Sequence, residues 1–269
     1  ALITQFSAQL LGFILAGAAA SLAGPWALLA LQTLAILIGL VATLFLPSLP
    51  PLEKTTDEDD PNHVHDRGWR TGYHIVIESK RLYPVFFSTL SVGIFFIGIF
   101  MVALPLTIRN VFDGGQFEIA VVNVCFWGGT IVTTMVLLNR HPIRRRGRAM
   151  VLAVMVGSLS LIGVSLSTDF YMVCGFVTGW GLCAGVNMAM SRTIMQTEAP
   201  AQARARVLAF YNLGFLGAAP LGAMCAGFAT ELLGPQLATG IFAGMMIVFT
   251  LWLIASTPVW VIDRHEDEA

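Results

Sequence analysis

Few side chains in this sequence could do chemistry, and most of them stand apart. The densest group is the stretch DEDDPNHVHD, which gathers Asp57, Glu58, Asp59, Asp60, His63, His65 and Asp66. Carboxylates and imidazoles at that density could hold a divalent cation. The same composition is what a solvated linker needs, and with PSLPPLEKTT just before it the linker reading is preferred, so no metal is expected. Cys125, Cys174, Cys183 and Cys225 share no CxxC spacing and read as small buried apolar residues. His141 has no acid beside it. The sequence holds no phosphate-cradling glycine loop, no Ser-His-Asp spacing and no HExxH, so neither a cofactor nor enzymatic catalysis is expected. What remains are amides able to hydrogen-bond a solute: Asn123, Asn187 and Asn212, with Gln5 and Gln9 comparable.

The elements that must position these amides follow from composition. Apolar residues make up 56% of the chain and charged ones 12%, against roughly 45–50% and 25% in a soluble domain. The excess faces lipid. Crossing a hydrocarbon core of about 30 Å takes about 20 apolar residues, and eight such runs are predicted near 3 to 23, 26 to 46, 84 to 107, 117 to 138, 149 to 167, 169 to 191, 207 to 229 and 237 to 258. The expected fold class is therefore an all-α membrane protein with eight transmembrane helices and the lipid bilayer as its solvent. No nucleic-acid partner is expected, and the net charge of −1 says little.

Cation placement orients these spans. If the loops alternate sides, Arg109 alone of the 15 Lys and Arg residues falls on one side, and all others, including Arg145, Arg148, Arg192, Arg204 and Arg206, fall on the other. Such a split marks the cytoplasmic side and puts both ends of this chain there. Inside the spans, polar and charged groups are functional suspects. Glu118, Glu231, Asp169 and Arg109 sit at outer ends. Arg192 sits at the inner end of its span, where it either snorkels to headgroups or attracts an anionic solute. Gly175, Gly179, Gly181 and Gly185 form two overlapping small-residue faces that let neighbouring helices approach. Trp127 and Trp180, with the Phe residues of VGIFFIGIFM, could wall an apolar or amphiphilic solute.

The chain repeats itself once. AGAAASLAGP, residues 16 to 25, is echoed by AGFATELLGP, residues 226 to 235. Leu11/Leu221, Gly12/Gly222, Ala16/Ala226, Gly17/Gly227, Ala19/Ala229, Leu22/Leu232, Gly24/Gly234 and Pro25/Pro235 pair at one constant offset without a gap. Each copy is a helical hairpin turning at Gly-Pro. If the second closes a unit of six spans, the first closes an earlier unit whose first four spans precede residue 1. The expected organisation is residues 1–46 as the last two helices of a first half, 47–82 as a cytoplasmic linker with a short amphipathic helix in GWRTGYHIVIESKRLYPVF, 83–258 as a six-helix bundle and 259–269 as a cytoplasmic tail.

Residues 178 to 235 make the pattern more specific. A Gly-rich helix ends in Gln196, a loop carries Pro200 and Arg204-Ala205-Arg206-Val207, and the next helix carries Pro220-Leu221-Gly222. This resembles the tenth and eleventh helices of major facilitator transporters, especially the branch containing the enterobactin exporters. RHPIRRRGRAM resembles the family's Asp-Arg-x-Gly-Arg loop, with Arg145, Gly147 and Arg148 on its basic and glycine positions and Arg144 where the family has Asp.

The resemblance implies a partial major facilitator fold, the last eight of twelve helices, with the missing N-terminal helices as a possible partner. It implies that spans three, four, six and seven line a central cavity, which favours Asn123 and Asn187 as solute contacts. It implies a secondary transporter in a bacterial inner membrane, exporting a small siderophore- or drug-like molecule by alternating access. The arginine loop would gate the cytoplasmic side or set topology. A non-transporting scaffold, an intramembrane enzyme and an inactive fragment are the alternative readings.

Overall fold

The computed structural model describes residues 7–16, 25–45, 69–139, 143, 145–201 and 203–261, and among them all regular structure is helical. In hydrocarbon a backbone polar group has no water to bond, so each apolar run closes its own hydrogen bonds as a helix. The helices are α1 (Ser7–Ala16), α2 (Pro25–Leu44), α3 (Trp69–Glu78), α4 (Leu82–Val111), α5 (Gln116–Asn139), α6 (Arg146–Ser165), α7 (Phe170–Glu198), α8 (Arg204–Leu233) and α9 (Pro235–Ser256). A short 3-10 turn, Pro258–Val261, follows. The last six helices are each long and apolar enough to cross a membrane. The first two expected spans are described only in part, as α1 and α2; residues 17–24 and 46–68, with most of the expected linker at 47–82, lie outside the described residues.

Local chemistry sets the ends. Gly234 has φ 83°, and Pro235 takes the first turn of α9, so α8 stops and α9 starts within one residue. At the start of α5 the Gly115 N–H donates to Glu118 Oε2 at 2.7 Å, the backward half of a capping box. Helix α4 is interrupted by a π turn over Ile99–Ala103, where Leu104 N–H reaches back to Ile99 O. Pro105 follows. Its missing N–H and its ring disfavour an unbroken α ladder, and the π turn relieves both.

Helices α4 to α9 form one bundle whose contacts repeat. Helix α4 packs along α8 and α7 packs along α5; α6 meets α7 as α9 meets α4; and α6 meets α9. Exchanging the first three helices with the last three returns the same set of pairs. That is the pattern of inverted three-helix repeats within a six-helix half. Two core layers fill the bundle. One is aromatic, built around Phe96, Phe126, Trp127, Trp180 and Phe242, and Leu10 and Phe13 of α1 pack against it. The other lies toward the arginine-bearing end and holds Met150, Met190, Ile194 and Met195.

The expected amphipathic helix before the third span is α3. Its buried face is tucked under the bundle: Val76 is fully buried, Tyr73 meets Phe210 edge-on at 5.8 Å, and a Cβ on Gly72 would lie 2.8 Å from Arg206 O. By contrast α2 leaves nearly all its described side chains exposed, from Trp26 to Leu44.

Candidate solute path and the arginine-bearing end

Glycine sets how closely the inner helices approach. A Cβ on Gly181 of α7 would run into Phe126 O of α5, and one on Gly185 would lie 2.8 Å from Thr130 O. From the other side, a Cβ on Gly129 would lie 2.7 Å from Thr178 O. Thr130 Oγ1 sits 3.0 Å from both Phe126 O and Gly181 O, so its proton bridges the two helices. The α4–α8 pair does the same with Gly98 and Gly222, each of which would drive a Cβ into the opposite backbone carbonyl. Gly179 faces Ser160 Oγ of α6 at 3.3 Å, whereas Gly175 faces open space. Pro220 is exposed on α8 and does not interrupt the helix.

Most buried hydroxyls in the bundle are already satisfied. Thr89, Thr107, Thr134, Ser158 and Thr250 each donate to the carbonyl four residues back, the local bonding typical of Ser and Thr in helices. Ser191 of α7 pairs with Tyr211 Oη of α8 at 2.9 Å. The amides separate into three cases. Asn123 donates to Ile119 O at 2.8 Å and is held by its own helix. Asn212 is exposed on α8. Asn187 of α7 is 9% exposed, and no hydrogen bond joins its amide to any described residue. Its amide atoms are not fully enclosed, so a further partner can reach them. Gln9 of α1 buries an unpartnered Oε1, and Gln5 lies outside the described residues.

The tryptophans are placed inside the packing rather than on an open wall. Trp180 is 2% exposed and Trp127 9%. Ring centroids lie 4.7 Å apart for Phe126–Trp180, 5.6 Å for Phe96–Trp180 and 5.9 Å for Phe100–Trp180. Phe100 belongs to the π turn, which thereby feeds a ring from α4 into the α5–α7 contact. Sequence reasoning passed over that turn, although Pro105 was its visible signal.

Cations and their partners cluster at the other end. Arg81 Nη1 bonds Glu198 Oε2 at 3.0 Å, tying the start of α4 to the end of α7. Arg146 Nη1 reaches Thr197 Oγ1 at 3.2 Å, so α6 joins the same corner. Arg148 donates its Nε–H to Trp260 O at 3.0 Å, with its guanidinium 5.3 Å over the Trp260 ring. That double contact clamps the 3-10 turn after α9 onto α6. Gly147 is buried between these two arginines, while Arg145, Arg204 and Arg206 are exposed and Arg192 is half-buried. Arg144 and His141 lie outside the described residues. A groove of about 570 Å³ lined by Ile77, Glu78, Lys80, Tyr83, Ser256 and Thr257 opens at this end, far along α9 from the aromatic layer.

No group of three or more metal-binding side chains occurs among the described residues. What the arrangement offers is a lipid-embedded helical bundle with Asn187 among its buried residues: an integral, multi-pass membrane protein. The model of the Major Facilitator Superfamily matches residues 2–217, most of the chain, and the chain belongs to that family of membrane transporters. A search of curated proteins found no match.

Proposed function

We propose that this chain works as a secondary transporter that exports small siderophore- or drug-like molecules by alternating access, in a bacterial inner membrane with both ends of the chain cytoplasmic. The single observation that carries the solute path is Asn187, an amide buried within the bundle and bonded to no described residue. Gly181 and Gly185 hold α7 against α5 close to it. Among the described residues the charged side chains of the six long helices sit toward helix ends. Recognition near the middle therefore rests on hydrogen bonds and apolar contact, which suits an amphiphilic solute. Asn123 and Asn212 are secondary contacts, and the cytoplasmic gate is the Arg81–Glu198 and Arg148–Trp260 corner, with Arg145, Arg204 and Arg206 around it.

The test is accumulation of siderophores, dyes and drugs in a host stripped of its major efflux pumps, expressing the full-length product of the gene that encodes this chain. The expected result is lower accumulation of at least one compound, lost in Asn187→Leu at equal membrane abundance. Unchanged accumulation across the panel would overturn export of these classes, and an unaffected Asn187→Leu would move the path elsewhere.

A further inference from the structure

A second site lies one turn away from the glycine contact of α5 and α7. Both helices run in the same direction: Phe126 lies against Gly181 and Thr130 against Gly185, so contact positions advance together. Gly129 is pressed onto Thr178, and one helical turn back on each strand of that contact are Cys125 and Cys174. Cys125 and Cys174 both pack against the same aromatic layer there, and Asp169 stands at the N-cap position of α7. Disulfide closure needs Cα atoms within about 4.4–6.8 Å, a spacing that two helices reach only where small residues let their backbones touch, as Gly129 and Gly181 do here.

We propose that Cys125 and Cys174 are a dithiol that closes to a disulfide by exchange with a disulfide donor, tying α5 to α7 near the end of the bundle opposite its arginines. One protein thiolate attacks the donor, expels a donor thiol and forms a mixed disulfide. The second protein thiolate attacks the protein sulfur of that mixed disulfide and releases the other donor thiol. Two protein S–H bonds and the donor S–S bond are consumed; one protein S–S bond and two donor S–H bonds form. The product is neutral and leaves no charge in the apolar packing. Cys174 is four residues past Phe170, about 6 Å along the helix from its start, and it is half-exposed. A water-borne donor reaches it there. The other thiols are placed elsewhere: Cys183 stands against Gly157 of α6, and Cys225 is exposed on α8. This site is independent of the solute path proposed above.

The protein purified in detergent is treated with 4,4′-dithiodipyridine, digested without reduction and mapped by mass spectrometry. The expected result is one cross-linked species joining the Cys125 and Cys174 peptides, free of pyridylthio adducts, with two thiopyridones released. It persists in the Cys183→Ser/Cys225→Ser variant and disappears in Cys125→Ser, where Cys174 instead carries a stable adduct. Separate adducts on Cys125 and Cys174, a bridge from either to Cys183 or Cys225, or two unmodified thiols while Cys225 reacts would each overturn the proposal.

Discussion

At the scale of single residues, the glycines of α7 show what spacing alone conveys. Gly175, Gly179, Gly181 and Gly185 read as one small-residue stripe, yet Gly181 and Gly185 alone touch the α5 backbone, Gly179 touches a side chain of α6 and Gly175 touches nothing. Periodicity identifies a face but not what lies against it, because the neighbour comes from a helix about 50 positions away. The consequence is measurable. Gly181→Ala puts a methyl group into Phe126 O, a backbone atom that cannot turn aside, and should cost about 1–3 kcal/mol. Thermal unfolding in detergent should then fall by several degrees, at about 2–4 °C per kcal/mol for a chain of this size. Gly175→Ala enters open space and gains helix propensity, up to about 1 kcal/mol, so its midpoint should hold or rise. Equal losses in both variants would mean that close approach is not what Gly181 provides. The amides carry a similar lesson. Asn123, Asn187 and Asn212 look alike in sequence, and only packing shows that one is held by its own helix, one is exposed and one lies within the bundle.

At the scale of elements, α5 is observed as Gln116–Asn139 where 117 to 138 is expected, and α9 as Pro235–Ser256 where 237 to 258 is expected. Helices α7 and α8 run longer than their apolar runs, at 29 and 30 residues. Such lengths reach about 45 Å against a hydrocarbon core of about 30 Å. Hydropathy reports only the part that faces lipid, whereas the hydrogen-bond ladder continues through polar turns such as SRTIMQTE into water. The π turn of α4 was not legible in that way, since it changes the ladder without changing composition. It places Phe100 among Phe126, Trp127 and Trp180, and π turns recur at functional positions. Replacing Pro105 by Ala restores an N–H and removes the ring that opposes the α ladder. We expect Pro105→Ala to raise the unfolding midpoint and to reduce the proposed export, the trade-off seen when a strained functional segment is relieved. A midpoint that falls would show instead that the π turn is held by its packing and that the proline merely tolerates it.

At the scale of the whole molecule, charge divides the bundle end from end. Among the described residues Lys80, Arg81, Arg145, Arg146, Arg148, Arg204 and Arg206, with Glu78 and Glu198, stand at one end with Arg192 close by, and Asp113, Glu118, Asp169, Glu231 and Arg109 stand at the other. Arg146 and Arg148 open α6, and Arg204 and Arg206 open α8, where the helix dipole disfavours positive charge. Helix stability therefore does not account for them. Retention of cations on the cytoplasmic side during insertion would, in the orientation proposed above, and the paired contacts of Arg81 and Arg148 then use some of them to join helix ends. The orientation this implies can be read with a membrane-impermeant maleimide on intact cells, in a background with the four native cysteines changed to Ser. Gln116→Cys, exposed at the start of α5, should label from outside, and Ala201→Cys, exposed between α7 and α8, should label only after permeabilisation. The reverse pattern would put the arginines outside and the Cys125–Cys174 pair toward the reducing side, where a disulfide does not persist. One labelling experiment thus fixes both which end of the bundle faces the cytoplasm and the compartment that the dithiol meets.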